Sequence, residues 1–113
     1  MESILTSIKK MLGITAEYTI FDQDLIMHIN TAFMVLNQLG VGPSECFYIE
    51  DDGSMWNDFL EDPTKLQMVK TYMYMKVKLM FDPPASSTVL KSIEEQIKEF
   101  EFRLNIAVDP KTN

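Results

Sequence analysis

Residues 62–84 read DPTKLQMVKTYMYMKVKLMFDPP, and this stretch decides the fold. Asp62 can accept hydrogen bonds from the free N–H groups of a first helical turn. Pro63 falls where a helix loses nothing by lacking an N–H, so the start is marked twice. The stop is Asp82-Pro83-Pro84, because proline restricts the residue before it and cannot donate to a helix ladder; the helix is expected to end near Phe81. At about 100° per residue, Leu66, Val69, Met73, Val77 and Met80 form one apolar stripe, and Met68, Tyr72, Met75 and Leu79 form a second, roughly 130° away. Gln67, Lys70, Thr71, Tyr74 and Lys78 make the wet side, with Lys76 between the stripes able to bury its stem. Two stripes need two partners. Such a helix belongs at the centre of a small helical domain, or between that domain and a neighbouring subunit.

Working outward, the chain of 113 residues is one domain's worth. Its 46% hydrophobic and 24% charged content is ordinary for a globular protein, and with 4 glycines and 5 prolines it favours helices over a turn-rich β-fold. Cys46 has no second cysteine to pair with, which fits a reducing compartment. The net charge of −7 argues against a nonspecific grip on nucleic acid, which needs surplus Lys and Arg. No apolar run approaches the ~20 residues that span a bilayer, and MESILTSIKK lacks the basic start and long apolar middle of a signal peptide. A soluble chain, cytoplasmic where it is made, is expected.

Residues 2–12 place Ile4, Leu5, Ile8, Met11 and Leu12 at helical spacing, with Lys9 and Lys10 at the end the dipole favours and Gly13 as the stop. Residues 14–19 read as a loop with some extended character. Asp22 is the expected N-cap of a helix whose stripe is Leu25, Ile29, Ala32, Leu36 and Leu39, widened by Ile26 and Phe33 and ended by Gly40. Residues 40–44, GVGPS, are a breaker cluster. Cys46-Phe47-Tyr48-Ile49 is a β-prone run closed by Glu50-Asp51-Asp52-Gly53-Ser54, and reads as a short strand or extended arm. Trp56 to Leu60 predicts a brief helical turn that tucks Trp56 and Phe59 against the core. After the central helix, Ser86, Ser87 or Thr88 caps a last helix with a seam of Leu90, Ile93, Ile97, Phe100 and Leu104. On its outer face Lys91–Glu95, Glu94–Lys98 and Glu99–Arg103 are i,i+4 pairs, each worth ~0.2–0.5 kcal/mol. The whole is a mainly α fold: a small bundle of about four helices with a short extended arm or hairpin before the central one. Residues 1–105 form a single domain and 106–113 a flexible tail.

Chemistry is hard to assemble from this inventory. His28 is the one histidine, and its place beside an apolar stripe suits a boundary residue better than a nucleophile's base. One Cys and one His cannot build a zinc tetrahedron without scattered carboxylates. Counted from Asp51 as a calcium loop, the required glycine at the sixth position is Trp56 and the third position is Gly53, so the match fails. Asp22 and Asp24 are explained by the helix dipole, and Glu94, Glu95, Glu99 and Glu101 by a solvated helix face, or by an acidic surface lining a channel. Gly40 and Gly42 precede no Lys-Ser/Thr, so no phosphate loop is present. No catalytic residue, cofactor site or metal site is expected. Nine methionines in so short a chain suit adaptable packing; the core is their ordinary home, but Met68 and Met75 could face another subunit.

Taken in order, FDQDLIMHIN, the turn LGVGPS, WNDFL, VKTYMYMKVKLMFDPP and IEEQIKEFEFRLN resemble the small head–tail connector, or adaptor, proteins of long-tailed bacteriophages and of prophages in Gram-positive bacteria. The resemblance covers nearly the whole chain, and LGVGP with the central helix through FDPP is its most specific part. It implies a structural, non-enzymatic protein of the virion neck, at the head–tail junction: a helical protomer assembling as a ring, commonly twelve-fold, beneath the portal protein, made in the bacterial host's cytoplasm. It further implies an extended channel through which DNA passes without specific binding, and a docking surface for a stopper or tail-completion protein, with no membrane involved.

A ring needs two different complementary patches on each protomer. The candidates are the Met68, Tyr72, Met75 side of the central helix and the 44–56 arm with Phe47, Tyr48, Ile49 and Trp56. Ile106 and Val108 in the tail are candidates for portal or neighbour docking by analogy with the family. Candidate channel or acidic-face residues are Glu50, Asp51, Asp52, Glu95 and Glu99. Two other readings stand beside this one: a small helical regulator dimerising through the Leu90 to Leu104 seam, and an enzyme with an unrecognised site.

Overall fold

The computed structural model describes residues 3–107. Five helices follow one another: α1 (Ile4–Met11), α2 (Asp22–Gln38), the single turn α3 (Trp56–Phe59), α4 (Pro63–Phe81) and α5 (Ser87–Ile106). The fold is mainly α, a small helical bundle, and among the described residues it has no strand. The β-prone run stays extended without a ladder; the one bridge joins Ser3 to Met55.

The ends of α4 lie where the sequence marks them. Asp62 Oδ1 accepts from the backbone N–H groups of Thr64 (3.0 Å) and Lys65 (3.2 Å), Pro63 opens the first turn, and the helix ends at Phe81. Packed between α2 and α5, it finds both its partners inside the chain. Leu66, Val69, Met73 and Val77 of the first stripe are buried, whereas Met80, past the covered length, stays at the surface. Tyr72 and Met75 of the second stripe are buried as well, with Met68 and Leu79 half-buried. Tyr72 reaches α5 through its hydroxyl, so this side of α4 addresses the α5 seam, where Ile97 and Leu104 are buried and Ile93 and Phe100 pack on the core. Most of that seam is therefore packed within the chain, with Leu90 half-buried at its start.

Both glycine stops close the same device. At the end of α1, Gly13 N–H donates to Lys10 and Ile14 N–H to Lys9; at the end of α2, Gly40 donates to Asn37 and Val41 to Leu36. These crossed bonds satisfy the last carbonyls and require the left-handed backbone that both glycines adopt.

Lys9 and Asp22 depart from expectation together. Asp22 is the first residue of α2 and caps nothing. Instead its Oδ1 lies 2.8 Å from Lys9 Nζ, as a Coulombic partner. The ammonium also donates to the Ala16 carbonyl at 3.0 Å. Lys9, expected at the helix end as a partner of the dipole, is 2% exposed and ties α1 to both the following loop and the start of α2.

Candidate assembly surfaces

The arm is held by α2. Asn30 donates from Nδ2 to the Ile49 carbonyl (2.9 Å) and accepts at Oδ1 from the Ile49 N–H (2.8 Å), so one side chain satisfies a backbone residue as a neighbouring strand would. One heptad on, Asn37 Nδ2 lies 3.3 Å from the carbonyls of both Pro43 and Ser44. Between them the rings of Phe33, Phe47 and Phe59 meet with centroids 4.8 to 5.4 Å apart. Gly42 presses on this trio: a Cβ there would sit 2.4 Å from the Phe59 ring, and its φ of +90° suits glycine alone. The far end of the arm is closed by Ile4 N–H donating to the Ser54 carbonyl. Below it, Trp56 Nε1 donates to Ser7 Oγ at 2.8 Å, with Lys70 Nζ 5.8 Å from the indole centroid.

The expected interface residues divide. Ile49 and Trp56 on the arm, and Tyr72 and Met75 on α4, are buried within the chain. Met68 and Phe47 are half-buried, while Tyr48 and Ile106 are exposed. Val108 lies outside the described residues. Glu50, Asp51 and Asp52 are all exposed, and Asp51 Oδ1 accepts from Gly53 N–H in a local turn. Glu95 and Glu99 are exposed on α5, where Glu99 Oε2 meets Arg103 Nε at 2.6 Å.

Charge is unevenly shared along the chain. Residues 11–64 contain ten carboxylates and no Lys or Arg, whereas residues 65–107 contain seven cations and five carboxylates. Inside the bundle, Tyr72 Oη donates to Glu101 Oε2 at 2.8 Å, and Lys76 Nζ stands 3.7 Å from the same oxygen. Burial first, then the bond to Glu101 and its negative charge, push the Tyr72 hydroxyl far above the ordinary phenol range. His28, the one imidazole, sits edge-on to Phe81 with ring centroids 6.5 Å apart. Among the described residues no three of His, Cys, Asp and Glu come together as metal ligands, and no helix is long and apolar enough to cross a membrane.

Sequence reasoning missed Asn30, Lys9 and the outer face of α2. There Ile20, just before the helix, and Met27 and Met34 within it are 71%, 65% and 56% exposed at intervals of seven residues. The heptad spacing itself was the available signal.

The fold is a small helical bundle whose polar side chains mostly tie its own elements together and whose exposed apolar side chains lie largely on helix faces. Among known families, the phage connector protein family matches residues 4–111, and the chain belongs to that family. Its role is therefore that of a structural phage component. Neither the curated proteins nor the solved structures contain a match to it.

Proposed function

We propose that this protein is a head–tail connector that assembles as a ring under the portal, extends the DNA channel and docks the next tail or stopper component. Membership of the connector family across residues 4–111 is the observation that carries this reading. Its physical properties suit the role. A net charge of −7, with Glu50, Asp51, Asp52, Glu95 and Glu99 all at the surface, lets DNA pass without the phosphate neutralisation that would hold it. The arm is anchored by Asn30 and Asn37 rather than by a sheet, and presents Tyr48 outward on a fixed backbone. Ile106, exposed at the end of α5, begins the segment proposed to dock on the portal or a neighbour.

The test is co-sedimentation of the purified chain with the portal protein of the same phage. A ring-sized complex is expected, and removal of residues 106–113 is expected to weaken it while leaving circular dichroism unchanged. Loss of portal binding by the intact chain would remove the connector assignment, and undiminished binding by the truncated chain would remove the docking role of the tail.

A further inference from the structure

Residues 46–49 alternate as an extended chain does: Cys46 and Tyr48 are exposed, Phe47 is half-buried against the rings of Phe33 and Phe59, and Ile49 is buried. In such a chain the N–H and carbonyl of one residue point to the same edge, and those of the next residue to the other. Asn30 takes both groups of Ile49, so the Ile49 edge faces α2. The backbone groups of Cys46 and Tyr48 therefore line the opposite edge. Among the described residues, none of these groups has a hydrogen-bond partner. The arm is in effect a short strand, paired on one edge by a side chain and open on the other.

An open edge whose backbone is already fixed is a template for a second strand, because only the incoming chain has to be ordered. What it accepts is decided by its surroundings. Glu45 precedes the run and Glu50, Asp51 and Asp52 follow it, all of them exposed, and the nearest Lys or Arg along the chain is Lys10 on one side and Lys65 on the other. A second copy of the arm fits poorly. Antiparallel pairing centred on Tyr48 sets Glu45 opposite Asp51, and like charges directly opposite destabilise a strand pair. A strand bearing Lys or Arg instead meets carboxylates at both ends of the run and the exposed Tyr48 ring between them. From this juxtaposition we infer that the outer edge of the arm takes an extended, basic segment of a different protein by strand addition, through the backbone groups of Cys46 and Tyr48.

The inference deepens the docking part of the connector reading and rests on it for its purpose, but the edge is a property of this chain alone. An edge of two residues covers far less than the ~800 Å² per partner of a stable complex, so the isolated contact is weak and has to be read residue by residue.

The probe is a capped heptapeptide of alternating Lys and Val, added at millimolar concentration to the full isotope-labelled chain, with amide hydrogen exchange followed by NMR. Saturable slowing at the amides of Cys46 and Tyr48 is expected. A peptide of alternating Glu and Val is expected to leave both amides unchanged. Lys residues whose side chains lie beside Tyr48 turn their own backbone groups to the arm, so N-methylation at Lys is expected to abolish the slowing and N-methylation at Val to preserve it. Glu45→Lys combined with Glu50→Lys, both at exposed positions and checked for unchanged circular dichroism, is expected to weaken the Lys/Val peptide about tenfold. No slowing, slowing by the Glu/Val peptide as well, indifference to the site of N-methylation, or undiminished binding by the charge-reversed chain each overturn the inference. Slowing that grows with protein concentration in the absence of peptide does so too, by making a second copy the occupant. Portal binding by the intact chain without any peptide effect leaves the connector reading standing and removes only this edge; a peptide effect without portal binding does the reverse.

Discussion

The helix α4 and the arm between Val41 and Met55 bury apolar side chains by opposite means. The helix satisfies its own backbone, so its side chains are free to cover two neighbours at once: Val69 and Met73 in the first stripe, Tyr72 and Met75 in the second, all buried. The arm has no ladder of its own, and its anchored backbone groups take bonds from elsewhere, from Asn30 at Ile49, Asn37 at Pro43 and Ser44, and Ile4 at Ser54. Packing dominates the first region and a few polar bonds set the geometry of the second. Substitutions that separate packing from bonding should therefore act differently on the two.

The largest effect is expected in the helix. Met73 is fully buried midway along α4, so Met73→Ala leaves a cavity as well as removing transfer free energy, a loss of about 2–5 kcal/mol by chemical denaturation. All signals should fall in one transition, because α4 touches both flanking layers. A separate, earlier loss of α5 signal would mean that the layers are less coupled than the sandwich implies.

Next comes the tie between α4 and α5. Tyr72→Phe removes the donor to Glu101, leaving that carboxylate to Lys76 at 3.7 Å, and should cost roughly 1.5–3 kcal/mol near neutral pH, the range for bonds to charged groups. Because folding raises the Tyr72 pKa, the folded state keeps a proton that the unfolded state gives up near pH ~10. The contribution is complete below that pH and is lost progressively as pH rises above it. Wild-type stability should therefore decline in alkali, and the Phe variant should decline less steeply. Parallel pH profiles would show that Tyr72 ionises without penalty.

For the arm, Asn30→Ala takes away both bonds to Ile49 and should cost about 1–3 kcal/mol, the penalty for leaving backbone groups unsatisfied. Hydrogen exchange should rise across residues 47–50 before any change in α4. Uniform exchange across both would mean that the arm is part of the helical core's cooperative unit.

The helices were legible because their signals are local. Asp62-Pro63, Asp82-Pro83, Gly13 and Gly40 mark boundaries through the chemistry of one or two residues, and apolar spacing supplies the faces. The arm was legible only as a β-prone interruption. Its state depends on Asn30, nineteen residues earlier, and an asparagine on a helix gives no local sign that it will bond a distant backbone. The pairing of Lys9 with Asp22 failed to show for the same reason, since each residue already had a plausible local role at a helix end. For the assembly surfaces the limit is different. Periodicity reports that a face is covered but not by what, and here Tyr72 and Met75 are both buried within the chain, Tyr72 with its hydroxyl on Glu101 of α5.

Legibility and energetic weight are thus separate quantities, and the smallest of the predictions makes the point. Asp62 is the plainest signal in the chain, yet Asp62→Ala should cost only about 1 kcal/mol, the usual worth of an N-cap. Two features hold it there. The bonds to Thr64 and Lys65 are solvent-exposed, so water replaces the carboxylate, and Pro63 still presets the first turn. Thermal melts of Asp62→Ala and Asn30→Ala in one buffer compare a cap visible in the sequence with a clamp that was not. The clamp should cost more, since its loss frees an arm that carries Phe47 and Ile49 into the core, whereas loss of the cap frays one turn. If the cap proved the costlier, the start of α4 would be holding the neighbouring turn α3 and Trp56 in place, and the arm would owe its position more to that end of the helix than to Asn30.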